Sequence, residues 1–262
     1  MIDIQHYGPW AVIAGGSEGV GAAFAEQLSE AGLNLVLIAR KPEPLEVTAD
    51  AARRNGVEVR TLAVDLLAPD ALDRVRSITD DLDIGLLIFN AGAGAYASEF
   101  VAADLAKVQQ TIDLNVRCQL ALTHHFGAKM KDRGRGGVLL LGSISGYRGT
   151  TNISFYAAAK AFSRVFAEGL WLELAPHGVH VLELVPGAIR TPALGRLGLD
   201  LDQLGELAEP ADVAREGLER LPHGPLWITT GHFETAQAHS GFPRGQLLLG
   251  GVEKASKLME SA

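Results

Sequence analysis

Trp10-Ala11-Val12-Ile13-Ala14-Gly15-Gly16-Ser17-Glu18-Gly19-Val20-Gly21-Ala22-Ala23-Phe24-Ala25-Glu26-Gln27-Leu28 is the stretch whose reading decides the fold. Five apolar residues run into a cluster of glycines, after which Val20, Phe24, Ala25 and Leu28 recur at helical spacing, so the segment predicts a strand, a tight turn and a helix. The same alternation continues outward. Short apolar runs at 35–39, 57–64, 84–89, 138–141 and 179–185 predict further buried strands, with helical patterns between them. The longest helical patterns cover about 103–131 and 154–175, the second stopping before Pro176 and Gly178. Strands alternating with helices predict an α/β fold: a central parallel sheet, doubly wound and flanked by helices.

The chain has 262 residues, 47% of them hydrophobic, which is enough to bury one sizeable core in one domain spanning 1–262. A net charge of −8 without a concentrated basic face argues against a nucleic-acid partner. Arg53-Arg54 and Arg133-Gly134-Arg135 read as solvated helix ends. The single Cys118 excludes an intrachain disulfide and suits helix packing in a reducing compartment. No apolar run approaches the length of a membrane span and no secretory leader is visible, so the cytoplasm is the expected location. His124, His125 and His177 lack an accompanying ligand set, and no metal is expected. Phe155, Phe162 and Phe166 lie near one side of the 154–175 helix and read as core or subunit contact.

Two features carry chemistry. A glycine-rich turn between a strand and a helix lets the backbone approach a phosphate, whose charge the helix N-terminus favours, although structural turns also use glycine. Tyr156 and Lys160, four apart on a helix, project from one face and can address one ligand together. Ser143 follows an apolar strand. A free tyrosine titrates near pH 10, too high for proton shuttling at neutrality, and the neighbouring ammonium is expected to favour phenolate.

Gly15-x-x-x-Gly19-x-Gly21, Asn90-Ala91-Gly92, Asn115, Ser143, Tyr156-x-x-x-Lys160 and Pro186-Gly187 occur in this order. In this the chain resembles the short-chain dehydrogenase/reductase family over residues 12–191. The resemblance implies a Rossmann-type domain and hydride transfer between a nicotinamide cofactor and a carbonyl or alcohol. By it, Gly15, Ser17, Glu18, Gly19, Val20 and Gly21 surround the cofactor phosphates, Asp65 and Leu66 meet the adenine, and Asn90, Ala91 and Gly92 line the next strand end. Pro186, Gly187, Ile189 and Thr191 meet the nicotinamide. It also implies that Tyr156 is the general acid/base, that Lys160 binds the nicotinamide ribose, that Ser143 bonds the substrate oxygen and that Asn115 holds a water leading from Lys160 to solvent.

An acidic residue after the second strand would bond the adenosine ribose and repel an added phosphate. Here Ala39-Arg40-Lys41 stands instead, and Arg40 could grip a 2′-phosphate, so NADP(H) is expected over NAD(H). Two positions depart from the resembled pattern: Ala14 replaces a common threonine, and Glu18 occupies a place that is often neutral or basic. The family's substrate lid falls at about 190–210, where leucines alternate with glycine and acids. With Ala93, Ala95, Tyr96 and Ile144 they suggest an apolar ketone, aldehyde or secondary alcohol. The alternatives are a 3-oxoacyl thioester reductase, with Arg190, Arg196 and Arg244 as a carrier-phosphate patch, and a nucleotide-sensing protein without turnover. The family implies a homodimer or homotetramer. The tail at about 228–262 departs from the usual closing segment, and either covers the cleft or makes a different subunit contact.

Overall fold

The structure, a computed structural model, describes residues 2–92, 96–196 and 207–250. Seven parallel strands form one sheet in the order β3-β2-β1-β4-β5-β6-β7. They are β1 Trp10–Ala14, β2 Asn34–Ala39, β3 Val59–Ala63, β4 Ile84–Phe89, β5 Gly136–Leu141, β6 Val179–Val185 and β7 Leu226–Ile228. The helices used below are α1 Ile4–Tyr7, α2 Gly19–Glu30, α3 Pro42–Arg53, α4 Ala71–Thr79, α5 Leu105–Ile112, α6 Gln119–Arg133, α7 Ser154–Leu174, α8 Pro192–Gly195, α9 Pro210–Arg220 and α10 Phe233–His239.

Alternate residues of each strand enter two different cores. Ala11 and Ile13 of β1 join Phe24 and Leu28 of α2, Leu45 of α3 and Val213 of α9 on one face. Trp10, Val12 and Ala14 join Val75 of α4, Phe126 and Met130 of α6 and Ala167 of α7 on the other. Helices cover both faces, so the central strands must be apolar throughout: β1 and β4 are buried at every position. β1 pairs with β2 on one side and β4 on the other, so successive crossovers leave β1 in opposite directions. That reversal opens a crevice at the carboxyl ends of the strands, where a ligand can enter the sheet.

The expected strands are present, with differences that tertiary context explains. β3 is shorter than 57–64 because it lies at the sheet edge and is covered only in part. β7 is an additional three-residue edge strand, too short for a periodic signal. The helix expected over about 103–131 is interrupted at Asp113–Cys118 by a π-helical turn, an insertion into the helical ladder often found at functional sites. Arg133 and Arg135 are not solvated helix ends. Arg133 pairs with Asp83 and donates to the Ile84 carbonyl at 2.7 Å, while Arg135 reaches the carbonyls of Gln5 and Gly8 and the Asp83 carboxylate. Together they tie the amino ends of the strands to the N-terminal segment. Among the described residues, no helix is long and apolar enough to cross a membrane, and no group of three or more potential ligands could hold a metal ion.

Candidate active site

The turn from β1 to α2 is shaped by missing side chains. Gly15 and Gly19 adopt φ of +88° and +56°, where other residues are strained. A Cβ on Gly21 would overlap the Gly15 carbonyl oxygen, and one on Gly15 would stand 2.9 Å from the Ala91 nitrogen. Asn90 clamps the same turn, its Nδ2 donating to the Gly15 carbonyl at 2.8 Å. Glu18 occupies the cap position of α2 but makes no side-chain bond to the helix, so it leaves the first-turn N–H groups without an internal acceptor. A backbone cradle at an uncapped helix start fits the diphosphate of a dinucleotide.

Ser17 holds this turn against α3, its carbonyl accepting from the Thr48 hydroxyl at 3.0 Å. Arg40, just beyond β2, is exposed, and among the described residues no carboxylate pairs with it. Glu18 instead pairs with Arg196 at the end of α8, and this bond, with the charges of Arg196, Lys41 and Arg40, holds its carboxyl below the usual range. Asp65 is exposed and its carboxylate accepts from the Leu67 N–H at 3.0 Å, a local turn bond. The Leu66 carbonyl accepts from the thiol of Cys118 at 3.1 Å, and burial pushes that thiol up to about 11.

The second group gathers at the carboxyl ends of β4, β5 and β6. Ser143 begins a 3₁₀ turn at Ile144–Tyr147, its hydroxyl accepting from the Ser145 N–H at 3.1 Å. Tyr156 and Lys160 share a face of α7, the ammonium standing 5.7 Å from the centre of the phenol ring. Lys160 is 6% exposed, donates to the Leu141 carbonyl at 2.7 Å, and is lowered by burial to about 8. Burial raises the pKa of Tyr156 and the nearby Ser143 hydroxyl opposes it, so in the protein alone desolvation prevails over the phenolate-favouring effect expected of Lys160.

Asn115 lies in the π-helical turn, 2% exposed. Its Nδ2 donates to the Thr111 carbonyl at 3.0 Å, and its buried Oδ1, which has no partner among the described residues, presses on Gly92, where a Cβ would overlap it. An acceptor left open beside Gly92, in a turn packed against α7, fits an ordered polar ligand there.

After β6, the Pro186 carbonyl accepts from Ile144 N–H at 3.0 Å, joining the loop that follows β6 to the Ser143 turn. Gly187 lies under the ring of His232, Ile189 bridges Ala208, and Thr191 caps α8 by accepting from Leu194 N–H at 3.2 Å. The Thr191 methyl would be 2.9 Å from a Cβ on Gly19, so the two halves of the crevice meet there. Of the expected lid, residues 197–206 lie outside the described residues, as do Ala93, Ala95 and the end of the tail. The described tail folds back: Ala236 of α10 packs with Tyr147 and Val185, and Arg244 donates to the Tyr147 carbonyl at 3.4 Å. Tyr96 stacks near Phe155, ring centres 5.9 Å apart, next to Tyr156.

Two side chains at this site escaped the sequence reading. Glu183 is buried in β6 beside the Ser143 turn, where an isolated acid in an apolar strand offered the only signal. The approach of His232 to Gly187 had no local signal.

The chain matches the sequence profile described as short chain dehydrogenase over residues 9–201. It is 34% identical over 219 residues to a 7beta-hydroxysteroid dehydrogenase of Clostridium sardiniense, covering 83% of this chain and 84% of that one. A solved structure from work on 7beta-hydroxysteroid dehydrogenase stereoselectivity superposes with a TM-score of 0.86 at 26% identity, covering 95% of this chain and 98% of the other. A short-chain dehydrogenase from Sphingobium yanoikuyae, solved in complex with NADPH, superposes with a TM-score of 0.80 at 30% identity over 97% and 95% of the two chains. With its parallel sheet, glycine turn and Tyr156–Lys160 pair, this protein belongs to the short-chain dehydrogenase/reductase family, oxidoreductases that use a nicotinamide cofactor on hydroxyl and carbonyl groups.

Proposed function

We propose that the protein is an NADP(H)-dependent reductase of apolar, ring-containing ketones, or the dehydrogenase of the corresponding secondary alcohols. The observation that carries this reading is the convergence of the Tyr156 phenol, the Ser143 hydroxyl and the buried Lys160 ammonium at the mouth of the crevice. Burial keeps the phenol protonated, the form that can donate to a carbonyl oxygen. Ser143 steadies the charge that develops on the same oxygen, and the ammonium of Lys160 favours the phenolate left behind. Asn115, whose Oδ1 lies open against Gly92 in the turn packed on α7, holds a water through which Lys160 exchanges protons with solvent. The cofactor supplies or accepts the hydride when bound, held by the Gly15–Gly21 turn, Asp65, Leu66, the Asn90–Gly92 segment and the Pro186–Thr191 loop.

The apolar, ring-containing substrate class draws support from the Tyr96–Phe155 ring pair, from Ile144 in the Ser143 turn packed against the folded-back tail, and from the resemblance to a hydroxysteroid dehydrogenase. NADP(H) preference rests on Arg40 and on the likeness to a chain solved with NADPH. The thioester reading is weakened because its candidate cations are engaged elsewhere: Arg190 pairs with Glu209 at 3.0 Å, Arg196 with Glu18, and Arg244 with the His239 carbonyl at 2.5 Å.

Replacing Tyr156 with Phe removes one hydroxyl and little volume. We expect kcat to fall about 10²- to 10⁴-fold in steady-state assays over a panel of cyclic ketones, the range for loss of a general acid. Cofactor affinity by fluorescence titration should stay within about twofold of the parent, since only a hydroxyl is lost. Full turnover by the Phe variant would defeat the assignment, whereas cofactor binding by the parent without turnover on any carbonyl would favour the nucleotide-sensing alternative.

A further inference from the structure

Glu183 points from β6 toward α7 on the same side as Val179 and Val181. It is 1% exposed, and among the described residues neither carboxyl oxygen has a partner with hydrogen-bond geometry, although the Ser163 hydroxyl lies near enough to act on the carboxyl. An unpaired carboxylate in the interior costs several kcal/mol unless a counter-charge offsets it. A hydrophobic residue there would avoid that cost, so the acid invites a functional explanation.

Its surroundings point to the proton-handling site. A Cβ on Gly142 would come within 2.6 Å of Glu183 Oε1, so the carboxyl occupies the space that Gly142 leaves open. On one side of Gly142 is Leu141, whose carbonyl takes the Lys160 ammonium at 2.7 Å; on the other is Ser143. The Gly142 N–H donates to the Leu184 carbonyl at 2.8 Å, which locks this seat to β6. Three consecutive residues thus carry the lysine anchor, the glutamate's seat and the serine hydroxyl.

The charged and titratable groups facing Glu183 are Lys160, Arg164 and Glu168 from α7 and Tyr147 from the 3₁₀ turn. Arg164 lies over the Tyr147 ring at 4.7 Å. Neither Arg164 nor Lys160 forms a contact ion pair with Glu183, so the carboxylate acts on both through space. Among the described residues, Glu183 is the charge that opposes the effect of burial on Lys160. Burial pushes Glu183 up to about 8 and Lys160 down to about 8; against burial, the Ser163 hydroxyl and then the Lys160 charge act on Glu183, and the Glu183 charge acts on Lys160, so the two groups titrate over the same alkaline range.

We propose that Glu183 is a positioning residue: its buried carboxyl, seated against Gly142, supplies on ionising the counter-charge that holds the Lys160 ammonium protonated toward alkaline pH, next to Tyr156. The proposal rests on the catalytic reading of Tyr156 and Lys160. It has a sign. Removing a negative charge near a lysine makes its protonated form less favourable, so the lysine should lose its proton at lower pH.

The test is Glu183→Gln, which keeps size and removes charge, followed by ¹³C NMR titration of the Lys160 Cε in lysine-labelled protein without cofactor. The signal is assigned by its loss in Lys160→Met. The midpoint should move to lower pH by on the order of one unit. The alkaline limb of kcat/KM for ketone reduction should move the same way, a displacement that a purely structural role for Glu183 would not produce. Glu183→Asp, retaining the charge, should restore the midpoint toward the parent. If Glu183→Gln does not fold, Glu183→Leu carries the same titration with no unpaired polar group to bury. An unchanged Lys160 midpoint in the folded neutral variant overturns the proposal. Turnover by Tyr156→Phe would instead overturn the catalytic reading, and the NMR midpoint distinguishes the two failures because it does not depend on turnover.

Discussion

The two sides of the crevice are built by opposite means. The β1–α2 side makes its site from backbone, by omitting side chains: Gly15 and Gly21 approach other backbone groups so closely that a methyl group would collide. The opposite side, of β5, α7, β6 and the π-helical turn, makes its site from side chains sunk into the protein: Asn115, Lys160 and Glu183 are all buried, and among the described residues Asn115 and Glu183 carry polar atoms without hydrogen-bond partners. A diphosphate needs many weak donors at close range, which bare backbone supplies. Proton transfer needs groups whose affinities for protons have been displaced from their values in water, and burial supplies that. The first side therefore tolerates no added atoms, and the second tolerates no lost charges.

Gly21→Ala attacks the backbone-built side most directly. Its new methyl would overlap the Gly15 carbonyl, and overpacking of this kind costs about 1–3 kcal/mol. We expect NADPH affinity by fluorescence titration to fall about 100-fold, equivalent to about 2.7 kcal/mol, with a lowered melting temperature. Binding within about twofold of the parent would show that the turn does not need its bare backbone and would break the comparison.

A smaller effect sharpens it. NADPH and NADH titrated side by side should show tighter NADPH binding, and Arg40→Ala should erase about tenfold of that ratio, the worth of one charge-assisted bond of about 1.5 kcal/mol. Equal affinities for the two cofactors in the parent would remove Arg40 from the phosphate site. The smallest change is expected for Glu18→Gln, which removes a negative charge at the start of α2 while breaking an exposed pair with Arg196. Exposed pairs are worth at most about 1 kcal/mol, so NADPH affinity should rise by no more than about fivefold. Weaker binding would mean that the Glu18–Arg196 pair matters more for shaping the crevice than the charge does for repelling phosphate.

How legible each side was follows from the same contrast. Gly15, Gly19 and Gly21 announce themselves because their constraint is local, a tight turn between an apolar strand and a helix. Tyr156 and Lys160 are nearly as plain, since helical spacing alone puts them on one face. The turn around Asn115 was read as continuous helix because a π-helical insertion uses the same residue types as the α-helix on either side. β7 was missed because three edge residues carry no period, and Arg133 and Arg135 were misread because their partners lie far away in the chain, at the start of β4 and in the N-terminal segment.

The sequence by itself determined the order of strands and helices, the glycine turn and the α7 pair, because these depend on spacing along one chain. Tertiary structure decided that Glu183 stands against Gly142, that Asn115 is left with an orphaned oxygen, that Glu18 is taken by Arg196, and that His232 returns over Gly187. Each is a contact between segments distant in the chain, and burial gives it its chemical meaning: the field at a carboxyl or ammonium depends on what surrounds it in space, which no local pattern of residues records.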